Sequence, residues 1–192
     1  MKFTVLAALL ASTQAAEIDT GFGPKFNIVK KDNNAQTITA TVPANNYLVL
    51  ALGDAHDAAV DMLYFGGKSS NNYKDMKGKE GTMPTEDPSG KRNLNCNVSG
   101  SGPYTFDCSR DINTGDADTD TKLECGKSYT FEYMGSGSTA DLQAEPAKHG
   151  SFKMSLDSSC VVTLEKVAKS ETGAMTNVIS AASVLAATYM LF

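Results

Sequence analysis

Two apolar runs decide the fold class: Tyr47-Leu48-Val49-Leu50-Ala51-Leu52, closed by Gly53, and Val60-Asp61-Met62-Leu63-Tyr64-Phe65, closed by Gly66-Gly67. Each is too short for a buried helix and too continuously apolar for a strand with one wet face. Both therefore read as central strands covered on both sides. Outward from them the pattern changes to strict alternation at Thr37-Ile-Thr-Ala-Thr-Val42, Tyr129-Thr-Phe-Glu-Tyr133 and Phe152-Lys-Met-Ser-Leu156, which puts one apolar face inward. Shorter candidates lie at 26–30, 104–109 and 160–167, and the loops at 66–72 and 78–90 are rich in Gly, Pro, Asn and Asp. No long amphipathic helix and no internal repeat is visible. Eight or so strands at regular spacing predict an all-β fold, an antiparallel β-sandwich of immunoglobulin-like architecture.

The ends differ in character from this centre. Met1-Lys2, an apolar run from Phe3 to Leu10 and the small residues before Ala16 have the order of a secretory signal, with cleavage expected after Ala15. The last fifteen residues, from Val178 to Phe192, carry no charge and fall short of the roughly 17 to 25 residues of a membrane-spanning helix. They match in length the removable tail of a glycolipid (GPI) anchor signal. The expected organisation is thus a signal peptide at 1–15, one sandwich domain at 16–172 and an anchor signal at 173–192, with Ser170 as the attachment residue. Lys2 is the only charged residue in either end, so the domain carries the acidic balance of 17 Lys+Arg against 22 Asp+Glu. That balance argues against nucleic acid as a partner. The expected location is the extracellular face of the plasma membrane, with membrane contact through the lipid.

All four cysteines, Cys96, Cys108, Cys125 and Cys160, fall within the domain, and an even count behind an export signal implies two disulfides. Three pairings are possible. The turn-rich Val98-Ser-Gly-Ser-Gly-Pro103 would return one strand beside the other and favours Cys96–Cys108 with Cys125–Cys160. No Cys-x-x-Cys spacing is present for thiolate zinc or redox chemistry. Asn97-Val98-Ser99 is the single glycosylation sequon.

Catalytic motifs are scarce. Only His56 and His149 are available as imidazole bases, and no Gly-x-Ser-x-Gly elbow occurs. Gly66-Gly67-Lys68-Ser69 fails as a phosphate loop because Met62 stands where the first Gly is needed. Asp116, Asp118 and Asp120 have the opening spacing of a calcium loop. Thr121 replaces the required Gly, however, and Lys127 the bidentate Glu, so an EF-hand is excluded and only a looser calcium loop remains. These absences argue against an enzyme.

Taken in order, Tyr47 to Gly53, the Asp61-Met62 pair, Asp87-Pro88, Tyr104-Thr-Phe-Asp-Cys-Ser109-Arg110-Asp-Ile-Asn-Thr114-Gly115-Asp116 and His149-Gly150 resemble a DOMON domain. This is the dopamine β-monooxygenase N-terminal family, which includes the cytochrome domain of cellobiose dehydrogenase. The resemblance spans roughly 26–164. Tyr47 stands where members often have Trp, Asp111-Ile112 replaces the usual Pro-Leu, and residues 129–134 replace a Trp-rich strand. The resemblance implies a sandwich that binds haem b or, in some members, sugars. In the haem branch the axial ligands map onto Met62 and His149, and a thioether with an imidazole suits electron transfer. His56, six positions before Met62, is the other imidazole considered. The implied partner is a redox protein or a small-molecule electron donor or acceptor. A carbohydrate-binding or adhesion module without metal is the alternative.

Overall fold

The computed structural model describes residues 16–32, 34–53, 60–69, 71–78, 84–88, 93–114, 120–136 and 148–168. The expected signal at 1–15, the anchor signal at 173–192, Ser170, His56, Asp116 and Asp118 lie outside the described residues.

All regular structure among the described residues is β. The strands are β1 (Ile18–Asp19), β2 (Lys25–Lys30), β3 (Ala35–Val42), β4 (Tyr47–Leu52), β5 (Val60–Gly66), β6 (Tyr73–Gly78), β7 (Thr85–Glu86), β8 (Asn95–Ser99), β9 (Tyr104–Asp111), β10 (Ser128–Ser136), β11 (Lys148–Leu156) and β12 (Val162–Val167). They form a five-stranded sheet, β1-β2-β3-β9-β8, and a seven-stranded sheet, β12-β11-β10-β4-β5-β6-β7. Every neighbouring pair is antiparallel, and the two sheets pack face to face as a β-sandwich.

Alternation selects the inner face. Ile28, Ile38 and Phe106 from one sheet meet Leu48, Leu50, Leu63, Phe65, Phe131 and Phe152 from the other, all buried. Phe152 is a hub of this layer, its ring 5.0 Å from Phe26 and 5.8 Å from Phe131. The chain changes sheets between β3 and β4 through a turn in which the Asn46 amide donates to the Pro43 carbonyl and Asn45 holds φ 62°. Asparagine tolerates that left-handed conformation better than most side chains.

The strands β4 and β5 are buried at every position, as their apolar runs predict. Their outward residues Tyr47, Val49, Ala51, Val60, Met62 and Tyr64 form a second buried cluster with Met76 and Met134 on the outer face of the seven-stranded sheet. Beyond the strands expected from the sequence, the structure adds β6, β8 and the two-residue β1 and β7. Cys96 bonds Cys108 and Cys125 bonds Cys160, the pairs that the turn-rich connection favours. Cys96 and Cys108 are direct register partners across β8 and β9. Asn97 lies exposed on β8, an edge strand where a glycan has room. Among the described residues no helix is long and apolar enough to cross a membrane.

Candidate functional site

Chemistry-bearing residues collect in two places: on the outer face of the seven-stranded sheet and between the sheets directly beneath it. Cross-strand register partners share a face. Met62 of β5 lies opposite Ala51 of β4, which lies opposite Glu132 of β10, which lies opposite Ser151 of β11. In the neighbouring row His149 lies opposite Met134, then Val49, then Tyr64. Met62 and His149 thus share the outer face, with β4 and β10 between them. Three strand spacings and a two-residue offset put their Cα atoms roughly 16 Å apart.

The surface between them is apolar on β4, with Val49 1% and Ala51 4% exposed, and carries Met134 and the half-buried Glu132 on β10. Met62 is buried, whereas His149 is partly exposed. Burial holds the Glu132 carboxyl above the usual range, and the nearby His149 opposes that shift. Gly150 follows His149 because the Tyr133 hydroxyl lies 2.3 Å from where a Cβ would stand, so no larger residue fits there unless that ring moves. Gly150 thus has a packing reason to follow His149.

The Met62 thioether does not point toward His149. A Cβ on Gly78 of β6 would lie 2.3 Å from Met62 Cε and 2.7 Å from its Sδ, so the side chain leans over β6, the neighbour on the far side. Donor types and shared face fit a haem between Met62 and His149, and the sulfur would have to swing off Gly78 to serve. Gly78→Ala is expected to force that swing. Overpacking of about 1–3 kcal/mol, partly offset by the roughly 0.5–1 kcal/mol that alanine gains over glycine in a strand, leaves a small net loss of stability. The Met62 ε-methyl resonance should move while resonances in the inter-sheet core stay in place. An unmoved methyl would show that the thioether does not rest on Gly78.

Beneath this face Asp61 points inward. It is 1% exposed, and its Oδ2 accepts from Arg110 Nη2 of β9 and, at 3.0 Å, from the Thr121 amide. The Arg110 side chain has no solvent exposure and also stands 3.9 Å from Asp120 Oδ1. Asp75 of β6 joins the group, its Oδ2 accepting from the Asn93 amide at 2.6 Å, while Asp120 Oδ2 accepts from Asn93 Nδ2. Burial, only partly countered by Arg110, pushes the Asp61 carboxyl up to about 7. Burial raises Asp75 as well.

Sequence reasoning singled out Asp61 and Arg110 only as parts of a resemblance and passed over Asp75 and Asn93. The available signal was a lone aspartate inside a strand buried on both faces, which requires a buried cationic or hydrogen-bonding partner. A surface cleft of about 340 Å³ runs along β6, lined by Asn71, Tyr73, Lys74, Asp75, Glu86 and Leu94. No protein-family model matches the chain, and no curated protein is significantly similar to it.

Proposed function

We propose that this protein is an exported, GPI-anchored module of DOMON type that binds haem b through Met62 and His149 and passes single electrons at the cell surface. The observation that carries the reading is the placement of the two residues on one outer face, with the apolar Val49, Ala51 and Met134 and the single carboxyl of Glu132 between them. Met62 and His149 would hold the iron, and a haem held by a thioether and an imidazole would supply one-electron transfer. Val49 and Ala51 keep water out, and Tyr47 and Tyr64, with ring centroids 6.1 Å apart, close the β5 side. Glu132 lies diagonal to His149, which opposes the rise that burial imposes on the Glu132 carboxyl. The two disulfides suit an oxidising, extracellular compartment. Export through 1–15, anchoring at Ser170 and glycosylation at Asn97 complete the proposal, and the partner is a redox protein or a small electron carrier.

The test is a visible spectrum of the chain expressed with haem available. A Soret band with sharp reduced α and β bands is expected. The bands should be lost or strongly shifted in Met62→Leu and His149→Gln, two substitutions chosen to keep volume. A folded, colourless wild-type protein would overturn the reading. It would favour the sugar-binding alternative, for which the cleft along β6 offers amide and carboxylate groups beside Tyr73.

A further inference from the structure

We infer that Asp61, Asp75 and Asp120 form a buried site for one hard divalent cation of calcium's size, entered from the cleft along β6. The three side chains each offer a ligand atom, and these atoms lie within 4.8 Å of one another. Calcium–oxygen bonds of roughly 2.3–2.6 Å place oxygens on opposite sides of the ion at about that separation.

Unsatisfied groups at the same place point independently to a ligand. Among the described residues the Oδ1 atoms of Asp61, Asp75 and Asp120 accept no hydrogen bond, Asp120 Oδ1 having only its 3.9 Å ion-pair contact with Arg110. All three residues are more than nine-tenths buried, at 1%, 2% and 8% exposure. In each carboxylate the other oxygen is held by a protein donor: Arg110 and Thr121 for Asp61, the Asn93 amide for Asp75 and the Asn93 side chain for Asp120. Carboxylates oriented through one hydrogen-bonded oxygen, with the other accepting no hydrogen bond, match the way outer hydrogen bonds orient metal ligands. Gln36 adds a neutral group. It is 0% exposed, is the register partner of Arg110 on the inner face, and neither of its amide atoms has a partner.

Charge leads to the same conclusion. Among the described residues three carboxylates face one fully buried guanidinium, with the half-buried Lys77 as the register partner of Asp61, and a buried excess of negative charge is strongly unfavourable unless a cation compensates it. Oxygen donors alone, with no nitrogen or sulfur, select calcium, magnesium or manganese over zinc or copper. Access is provided because Asp75 both belongs to the cluster and lines the cleft. Of the acidic run that opens like a calcium loop, Asp120 is the described member, and it belongs to the cluster. The other two ligands come from β5 and β6, strands distant from it in sequence. The site is also separate from the proposed haem face, since Asp61 and Met62 point to opposite sides of β5.

The experiment is calorimetric titration of CaCl₂ into the secreted, chelator-stripped chain, together with thermal unfolding with and without the ion. Expected are binding of one ion per chain and a midpoint raised by roughly 5–10 °C at a hundredfold excess over the dissociation constant. Asp75→Asn and Asp120→Asn should each weaken binding by more than the roughly 10-fold that loss of an outer-shell partner costs a metal site. Both variants remove a buried like charge, so they should fold without the ion. The inference fails if millimolar calcium, magnesium and manganese leave the wild-type midpoint unmoved, because protons would then be the compensating charge. It fails equally if the two variants respond to calcium as the wild type does.

Discussion

Replacing Arg110 by methionine is expected to cost about 3–5 kcal/mol, the loss typical of removing one partner from a buried ion pair. Its side chain has no solvent exposure, bonds Asp61 and stands 3.9 Å from Asp120. Methionine fills much of the same space, so little of the loss comes from a cavity. It comes from leaving Asp61 and Asp120 in the interior without their cation, close to Asp75. Urea unfolding of chelator-stripped protein measures this, and the midpoint should fall with little change in slope. The double variant Arg110→Met/Asp61→Leu should recover much of the stability, because replacing both members of a buried pair by apolar residues is often neutral or better. A single variant within about 1 kcal/mol of wild type would show that the cluster is already neutral without Arg110.

The contrast between β5 and β6 shows what was legible in the sequence. The run Val60-Asp61-Met62-Leu63-Tyr64-Phe65 announces a doubly covered strand because five of its six residues are apolar. Tyr73–Gly78, its hydrogen-bonded neighbour, carries Lys74 and Lys77, and it places Asp75 at an inner position where alternation calls for an apolar side chain. The residue that makes β6 functional therefore also hides it. Edge strand β8 was hidden for a different reason. Its residues Asn95–Ser99 are exposed or half-exposed throughout, so burial imposes no pattern on them.

The candidate sites were legible to different depths. Their residue types could be read: a Met and a His, paired only through the resemblance, and an Asp isolated among apolar neighbours. Their partnerships could not, since Asp61 meets Arg110 49 positions away only because β9 lies across the sandwich from β5. Met62 and His149 share a face only through the register of β5, β4, β10 and β11. Neither relation has a local sequence signal. The tilt of Met62 over Gly78 is a packing outcome that no spacing rule contains.

Removing Cys125–Cys160 by the paired Ser substitutions is expected to cost about 4 kcal/mol, against about 3 kcal/mol for Cys96–Cys108, from loops of 35 and 12 residues in the chain-entropy treatment. The architecture widens the gap. Cys96 and Cys108 sit opposite each other in a hairpin whose ladder already holds the strands together, so the bond adds little that register does not supply. Cys125 precedes β10 and Cys160 ends the turn between β11 and β12, where the Gly126 amide donates to the Leu156 and Asp157 carbonyls. That bond ties the entry of β10 to the far end of its neighbour, anchoring the strand pair that carries His149. Loss of Cys125–Cys160 should therefore lower the urea midpoint more and also raise amide exchange along β10 and β11. Loss of Cys96–Cys108 should raise exchange only along β8 and β9. Should the short-loop bond prove the costlier to remove, local strand pairing at the β8 edge would be weaker than its hydrogen-bonded register implies, and the sheet edge rather than the face that carries His149 would depend most on an oxidising environment.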